Sequence, residues 1–198
     1  MADMKTKNVL IVGTGGQGVI LASDILSDVL SCIDGMDVKK SETHGMSQRG
    51  GSVHSQVRFG SKVHAPFVTA GEAQVVLAFE ESEGLRWSHA LATDGMMILN
   101  KERIVPPLAY AGLAEYPDKG IEELKKDSRV KAIDANQIAK DIGNIKVVSV
   151  VLLGALAATL DFDNQIWLDN LKKRVPAKAL EANLQAFAKG MEAMKIHI

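Results

Sequence analysis

The sequence predicts an α/β fold: a three-layer Rossmann-like domain with a mainly parallel sheet and a helical C-terminal region. Three observations support it. A short apolar run at residues 8–12 leads through glycines into an amphipathic stretch, strand-like and helix-like patterns then alternate, and the last third is helical in pattern. A chain of 198 residues can bury a full core, so we expect one domain spanning residues 1–198.

The N-terminal elements follow from hydrophobic periodicity. Residues 8–12 are typical of a strand buried on both faces. Apolar side chains then recur at spacings of three and four after Gly18, which predicts a helix ending at Asp34 and Gly35. Residues 36–42 can form a second strand. The length of this strand-helix-strand unit predicts parallel pairing of the two strands through a right-handed crossover.

The remaining elements are predicted by shorter patterns. Residues 53–59 carry apolar side chains of one parity, typical of a half-exposed third strand. Further strands are expected at 75–79, 96–99 and 130–133, with a helix-like stretch at 81–91, an irregular connection at 104–116 and a helix capped by Asp134.

The C-terminal third should contain two buried helical surfaces. Residues 147–160 are uncharged and predict a buried helix. A stripe farther along is expected to pack on the domain's own sheet, with a partner-subunit interface as the alternative. Its members are Leu180, Leu184, Phe187, Met191 and Met194.

Composition excludes several classes of protein. The 23 basic and 24 acidic residues give a net charge of -1, which disfavours nucleic-acid binding. A single cysteine can supply neither an iron-sulfur cluster nor an all-cysteine zinc site, and Cys32 itself is expected to be a small buried side chain on the first helix. We find no secretion signal and no membrane-spanning stretch, so a cytoplasmic protein is expected.

The clearest motif is a G-x-G-x-x-G sequence at residues 13–18, after a predicted strand and before a predicted helix. Glycines permit a tight turn and close approach of backbone amides, and a helix N-terminus attracts anions. The motif therefore favours a loop facing a phosphate or carboxylate, although the glycines could merely allow close helix-strand packing. Its candidate ligand-facing residues are Gly13, Gly15, Gly16, Gln17 and Gly18.

A second motif follows the second predicted strand. Glu42 is placed where a dinucleotide-binding protein would hold a ribose hydroxyl. The surrounding window, residues 39–62, carries five basic residues against this one acid, which indicates an anionic ligand or an acidic partner surface. Arg49 is the strongest candidate because Gly50 and Gly51 let its fork approach an anion closely; a solvated basic face is the alternative.

No residue pattern indicates self-contained catalysis. His44, His54 and His64 are ten residues apart, a spacing without mechanistic meaning, and neither a metal-ligating motif nor a nucleophile elbow is present. We therefore expect no catalytic residues and no metal in this chain.

Together, the two glycine motifs resemble the gamma-type subunit of 2-oxoacid:ferredoxin oxidoreductases, and are most similar to its indolepyruvate branch. The resemblance rests on Gly13-Thr-Gly-Gly-Gln-Gly18 and on Lys40-Ser-Glu-Thr-His-Gly-Met-Ser-Gln-Arg-Gly-Gly-Ser52. It continues at residues 71–73, 78–80, 144–154 and 175–183, and so spans nearly the whole chain. The second motif is much more specific than the first.

The resemblance implies a division of roles. A large partner subunit would hold thiamine diphosphate and iron-sulfur clusters, and the complex would convert a 2-oxoacid and coenzyme A into acyl-CoA, carbon dioxide and reduced ferredoxin. This chain would carry no cofactor, be inactive alone, complete the assembly and shape the coenzyme A and substrate side. Substrate preference among arylpyruvates and other oxoacids, and the stoichiometry of the complex, are not encoded in any motif.

Mapped onto this sequence, the resemblance places both loops at the carboxyl ends of neighbouring strands, where Arg49 would meet a phosphate or a carboxylate and Glu80 would order its loop. To the five residues of the first motif it adds a second set. These are Glu42, His44, Ser47, Arg49, Gly50, Gly51 and Ser52.

Two other functions stay open. The glycine motif and Glu42 are compatible with an NAD- or FAD-binding oxidoreductase of ordinary Rossmann type, which would lack a catalytic set of its own. A pure assembly module, whose glycine loop touches only protein, is the third possibility.

Overall fold

The computed structural model describes residues 4–45 and 51–195. Six strands form one sheet in the order β2-β3-β1-β4-β5-β6. Only β3 runs against its neighbours, since β1 pairs in parallel with β4, β4 with β5, and β5 with β6. The mainly parallel sheet is therefore confirmed. The strands are β1 (Lys7–Thr14), β2 (Asp37–His44), β3 (Ser52–Gly60), β4 (Ala73–Ala78), β5 (Leu91–Asn100) and β6 (Val130–Ile133).

Helices cover both faces of the sheet and complete the three layers. In chain order they are α1 (Val19–Ser31), α2 (Glu81–Arg86), α3 (Pro107–Tyr110), α4 (Asp118–Leu124), α5 (Ala135–Asp141), α6 (Val148–Ala157), α7 (Asn164–Arg174) and α8 (Leu180–Lys195). The larger core lies between the sheet and α1, α5, α6, α7 and α8. A smaller core on the opposite face includes Trp87 and Leu124. The side chain of Asp134 caps α5 by accepting the Gln137 amide, as predicted.

The predicted parallel pairing of the first two strands is wrong. β3 lies between β1 and β2 and is antiparallel to both, so β2 becomes the edge strand. The reason is local: β2 and β3 fold back on each other along their full length and the Gly45 amide donates to the Ser52 carbonyl. β3 is also more buried than predicted, because Val53, Val57 and Phe59 pack against the larger core while its other face is partly covered.

Helix α6 is apolar all round and almost entirely buried, as its sequence predicts. The α8 stripe packs within the same chain, but on α6 and not on the sheet as predicted. Phe187 and Met194 are buried, and Leu184 and Met191 are partly buried. Glycines permit the close crossing. A Cβ atom at Gly154 would lie 2.1 Å from the Phe187 carbonyl oxygen, and one at Gly190 would lie 1.9 Å from the Val151 carbonyl oxygen.

The expected burial of Cys32 is also wrong. α1 ends at Ser31, and Cys32 at its C-cap is exposed, with its Sγ 3.5 Å from the Asn170 amide nitrogen. The apolar periodicity of α1 does not extend to the residue at its end. Among the described residues, no helix combines the length and apolar character needed to cross a membrane.

The α6–α8 crossing gives a direct stability prediction. Replacing Gly190 with Ala should lower the free energy of unfolding by about 1–3 kcal/mol or more, because the added methyl group forces two helix backbones apart. Urea denaturation of the variant measures the loss. The control is Gln185→Ala on the exposed side of α8, which should change stability by no more than about 0.5 kcal/mol. Similar values for the two variants would contradict the inferred close packing.

Candidate functional site

The glycine loop lies at the carboxyl edge of the sheet, between β1 and β4. α1 leaves this point toward one face and α2 leaves toward the other, so a crevice opens where the two connections diverge. Ligands of open α/β sheets bind in crevices of this kind. The fold therefore places the first sequence motif where a ligand is expected.

Each glycine of the first motif meets a different constraint. A Cβ atom at Gly13 would lie 2.8 Å from Phe79 Cβ, and one at Gly18 would lie 2.8 Å from Ser149 Cβ. These two glycines are required for close packing. Gly16, with φ of 100°, faces open space. Packing therefore accounts for part of the motif, and Gly16 is free to approach a ligand.

The Gln17 side chain holds the loop in shape. Its Oε1 accepts the Thr14 amide at 2.7 Å, and its Nε2 donates to the Phe79 carbonyl at 3.2 Å. The side chain thereby ties the end of β1 to the end of β4. Because the side-chain oxygen already accepts the Thr14 amide, the role of Gln17 is to hold the glycine loop in position.

The two sequence motifs are in direct contact. The Gly15 amide donates to the Gly51 carbonyl at 2.8 Å, and Thr14 pairs with Ser52 across the β1–β3 ladder. The Ser52 hydroxyl donates to Glu83 Oε2 at 2.6 Å. Ser47, Arg49 and Gly50 lie outside the described residues. The two described flanks of the second loop nonetheless meet the same sheet edge as the first.

Glu42 and His44 are separated from the glycine loop. Both belong to β2, and the intervening β3 places them two strands, about 10 Å, from β1. Lys40 lies between the carboxylates of Asp24 and Glu42 and pairs with both. Burial alone would lower the pKa of Lys40, but the hydrogen bonds to these carboxylates raise it above its ordinary value. Glu42 is thus part of an ion-pair cluster on the α1 side of the sheet.

Glu80 is the buried acid of the site. It follows β4, is 0% exposed and caps α2. One carboxylate oxygen accepts the Glu83 amide and the Ser82 hydroxyl, and the other accepts the Ile104 amide and the Tyr116 hydroxyl. Burial and the hydrogen bond to Glu80 raise the pKa of Tyr116 well above its ordinary value. The predicted contact of Glu80 with Arg49 involves a residue outside the described ranges.

Sequence reasoning missed a cleft of about 200 Å³ beside the glycine loop. We call it the α1–α6 cleft. Gly16 and Gln17 form one wall, and the start of α6 forms another. The side chains that close it come from Glu102, Asn136, Lys146 and Ser149. These residues fall in segments whose pattern predicts only a strand end or an apolar helix, so the only available signal was the family resemblance of residues 144–154.

His54 lies on the opposite face of the sheet from α1 and contacts Trp87, with ring centroids 4.4 Å apart. Burial, and secondly the nearby His44, lower the pKa of His54. In the described ranges, 4–45 and 51–195, no cluster of three potential metal ligands occurs.

Comparison with known proteins supplies the family. Residues 8–193 match the family model described as pyruvate ferredoxin/flavodoxin oxidoreductase. The chain belongs to this family. Its similar relatives include indolepyruvate oxidoreductase subunit IorB of Thermococcus kodakarensis, 38% identical over 97% of this chain and 98% of the relative. The Pyrococcus horikoshii protein of that name is also 38% identical, with the same coverage. The resemblance seen in the sequence is confirmed.

Solved structures of the oxidoreductase family share the fold. The gamma subunit of a keto/oxoacid ferredoxin oxidoreductase from Geobacter sulfurreducens has a TM-score of 0.71 at 24% identity, covering 96% of this chain and 99% of that one. Pyruvate oxidoreductase subunit PORC of Thermotoga maritima has a TM-score of 0.69 at 20% identity, covering 95% and 96% of the respective chains. This family member therefore has the gamma-subunit fold.

The Glu80 contacts give a paired stability prediction. Tyr116→Phe removes one donor to a buried carboxylate and should lower the free energy of unfolding by about 1–3 kcal/mol. The same change at Tyr110, whose side chain is 84% exposed, should have an effect below about 0.5 kcal/mol. Denaturant titration compares the two variants, and an equal loss in both would contradict the inferred role of the hydroxyl.

The lowered pKa of His54 predicts a pH dependence. The folded protein binds fewer protons at this residue than the unfolded chain, so the stabilising contribution is fully present above the ordinary histidine pKa of 6.5. It is lost as the pH falls through that value toward the lower folded pKa. His54→Gln should reduce the pH dependence of stability measured by urea denaturation across this range. The exposed-site control Gln185→Ala, which removes no titratable group, should retain the parent profile.

Proposed function

We propose that this chain is the small subunit of an indolepyruvate-type 2-oxoacid:ferredoxin oxidoreductase. Relatives named indolepyruvate oxidoreductase subunit IorB, including those of Archaeoglobus fulgidus and Methanothermobacter thermautotrophicus, share 33–38% identity with it over nearly full length. With a large partner subunit it would form acyl-CoA, carbon dioxide and reduced ferredoxin from an arylpyruvate and coenzyme A. The reaction would take place in the cytoplasm.

The thiamine diphosphate and iron-sulfur clusters of the reaction are assigned to the large subunit. Clusters are usually held by four thiolates, and this chain has one cysteine. Cys32 lies at the C-terminal end of α1, whereas the glycine loop precedes its N-terminal end. The residues present do not fit a cluster, so electron transfer is assigned to the partner.

The observation that carries the proposal is the hydrogen bond from the Gly15 amide to the Gly51 carbonyl, because it joins the two motifs at one sheet edge. Backbone amides near Gly16 and the guanidinium of Arg49 would bind a phosphate of coenzyme A or the carboxylate of the oxoacid. Gln17 and Ser52 would hold the two loops in position without contacting the ligand, since both side chains already form hydrogen bonds within the chain.

The dinucleotide alternative has less support. It requires an acid beside the glycine loop, but Glu42 lies two strands away and pairs with Lys40. The assembly-module alternative differs from the proposal only in what the second loop touches. Kinetics of the complete complex separate these two.

The proposed activity is tested by coexpressing the chain with a large subunit of this oxidoreductase type. Acyl-CoA formation from indolepyruvate, phenylpyruvate, pyruvate and 2-oxoglutarate should be fastest for an arylpyruvate. The purified small chain should be colourless and inactive. Iron-sulfur or flavin absorbance in the isolated chain would contradict the proposed division of roles.

Arg49→Ala tests the ligand role of the second loop in the complete complex. Loss of a bidentate contact to an anion should raise the KM for coenzyme A or for the oxoacid about 10- to 100-fold, and the affected substrate identifies the group bound. The control is Lys62→Ala, which removes an exposed cation beyond the opposite end of β3. Unchanged kinetics combined with weaker complex formation would favour the assembly-module alternative.

A further inference from the structure

The α1–α6 cleft combines several groups that attract negative charge. It lies on the α1 side of the glycine loop, at the start of two helices. α1 has neither a side-chain cap nor an acidic residue in its first turn. α6 continues directly from a short 3-10 helix, Ile145–Val147, whose start is capped by the Asn144 side chain. Each helix N-terminus is equivalent to about half a positive charge. Gly18 and Ser149 lie in contact range, so the N-terminus of α1 faces the start of α6 across one small volume.

Backbone donors remain available on the glycine side of this cleft. Within the described part of the chain, the amides of Gly16, Gly18 and Val19 donate to no carbonyl oxygen. No other residue lies within 4 Å of a Cβ atom built at Gly16, so the space beside these donors is open. The loop therefore presents a short run of N–H groups without competing acceptors.

Ser149 supplies an independent indication of a ligand. It is only 5% exposed and lines the cleft. In the described ranges the Ser149 hydroxyl forms no hydrogen bond, and its Oγ opens onto the cleft, unlike the fully enclosed and unpaired Ser55 Oγ. A ligand oxygen in the cleft would satisfy it.

The two charged side chains that line the cleft balance each other. Lys146 lines the cleft and forms no ion pair with any described residue. Glu102 is the opposing carboxylate, and it accepts a hydrogen bond from the Asn136 side chain. Lys146 offsets the charge of Glu102, and the N-terminus of α1 adds about half a positive charge.

We infer that the α1–α6 cleft binds a compact oxyanion, a phosphate or a carboxylate, through the amides of Gly16, Gly18 and Val19 and the side chains of Ser149 and Lys146. Its volume of about 200 Å³ suits one such group and is smaller than the sites that enclose a drug-sized ligand. The inference rests on the proposed function, because the oxyanion would be part of coenzyme A or of the oxoacid. It differs by naming Ser149 and Lys146, on the α6 side of the loop, as partners of that group.

The test is a titration of the full chain, labelled with nitrogen-15, with inorganic phosphate and separately with acetate. The amide resonances of Gly16, Gly18 and Val19 should shift and saturate with at least one anion. Tighter binding of phosphate would indicate a phosphoryl group as the natural ligand, and tighter binding of acetate a carboxylate. Absence of saturable shifts at these amides with both anions would overturn the inference.

Two variants test the named side chains. Lys146→Gln and Ser149→Ala should each weaken binding of the preferred anion by about tenfold, the loss typical of one charge-assisted or buried hydrogen bond. Lys119→Gln, on α4 across the sheet, should bind like the parent. If Ser149→Ala does not fold, Lys146→Gln still tests whether the anion binds in this cleft. Parental affinity in Lys146→Gln would overturn the assigned site.

The outcome is separable from that of the proposed function. Anion binding is measured on the isolated chain, whereas the proposed function is measured as acyl-CoA formation by the complex. Saturable binding together with an inactive complex would reject the function and keep the cleft. An active complex without anion binding would reject the cleft alone.

Discussion

The buried carboxylate of Glu80 is the interaction on which this end of the molecule depends. It lies between β4 and α2, at the point where the connections on the two faces of the sheet diverge. Its oxygens accept hydrogen bonds from the start of α2, from Ile104 after β5 and from Tyr116. A buried carboxylate without such donors would be strongly unfavourable. Its four hydrogen bonds therefore fix three separate chain segments around the crevice.

The reversed strand β3 explains why the site differs from an ordinary dinucleotide-binding site. In that fold the second strand lies beside the first, and its terminal acid reaches the ribose. Here the position beside β1 belongs to β3, whose amino end brings Gly51 and Ser52 against the glycine loop. The strand that carries Glu42 is displaced to the sheet edge. The same glycine motif thus faces a second glycine-rich loop in place of an acidic ribose contact.

Local patterns in the sequence predicted the elements well but could not predict their arrangement. The apolar run at residues 8–12, the periodicity of α1 and the Asp134 cap each depend on neighbours within a few residues. Strand order does not. The segment between β1 and β2 is long enough for a crossover, and the connection at residues 45–51 is long enough for a β2–β3 hairpin, so length does not decide between the two pairings. That connection is also longer than the short turns that identify hairpins in a sequence. The contact of Gly18 with Ser149 joins residues far apart in the chain, so the α1–α6 cleft had no local signature.

In the proposed sites, recognition depends mainly on backbone amides and cations, because the side chains of Gln17 and Ser52 already have partners within the chain. Gln17 bridges Thr14 and Phe79, and Ser52 donates to Glu83, so both stabilise the loops that carry the free amides. Such internal bonds keep donors fixed before a ligand arrives and reduce the entropy lost on binding. Amides and cations recognise negative charge more than molecular shape. This edge is therefore suited to hold an anionic group, as the proposed function requires.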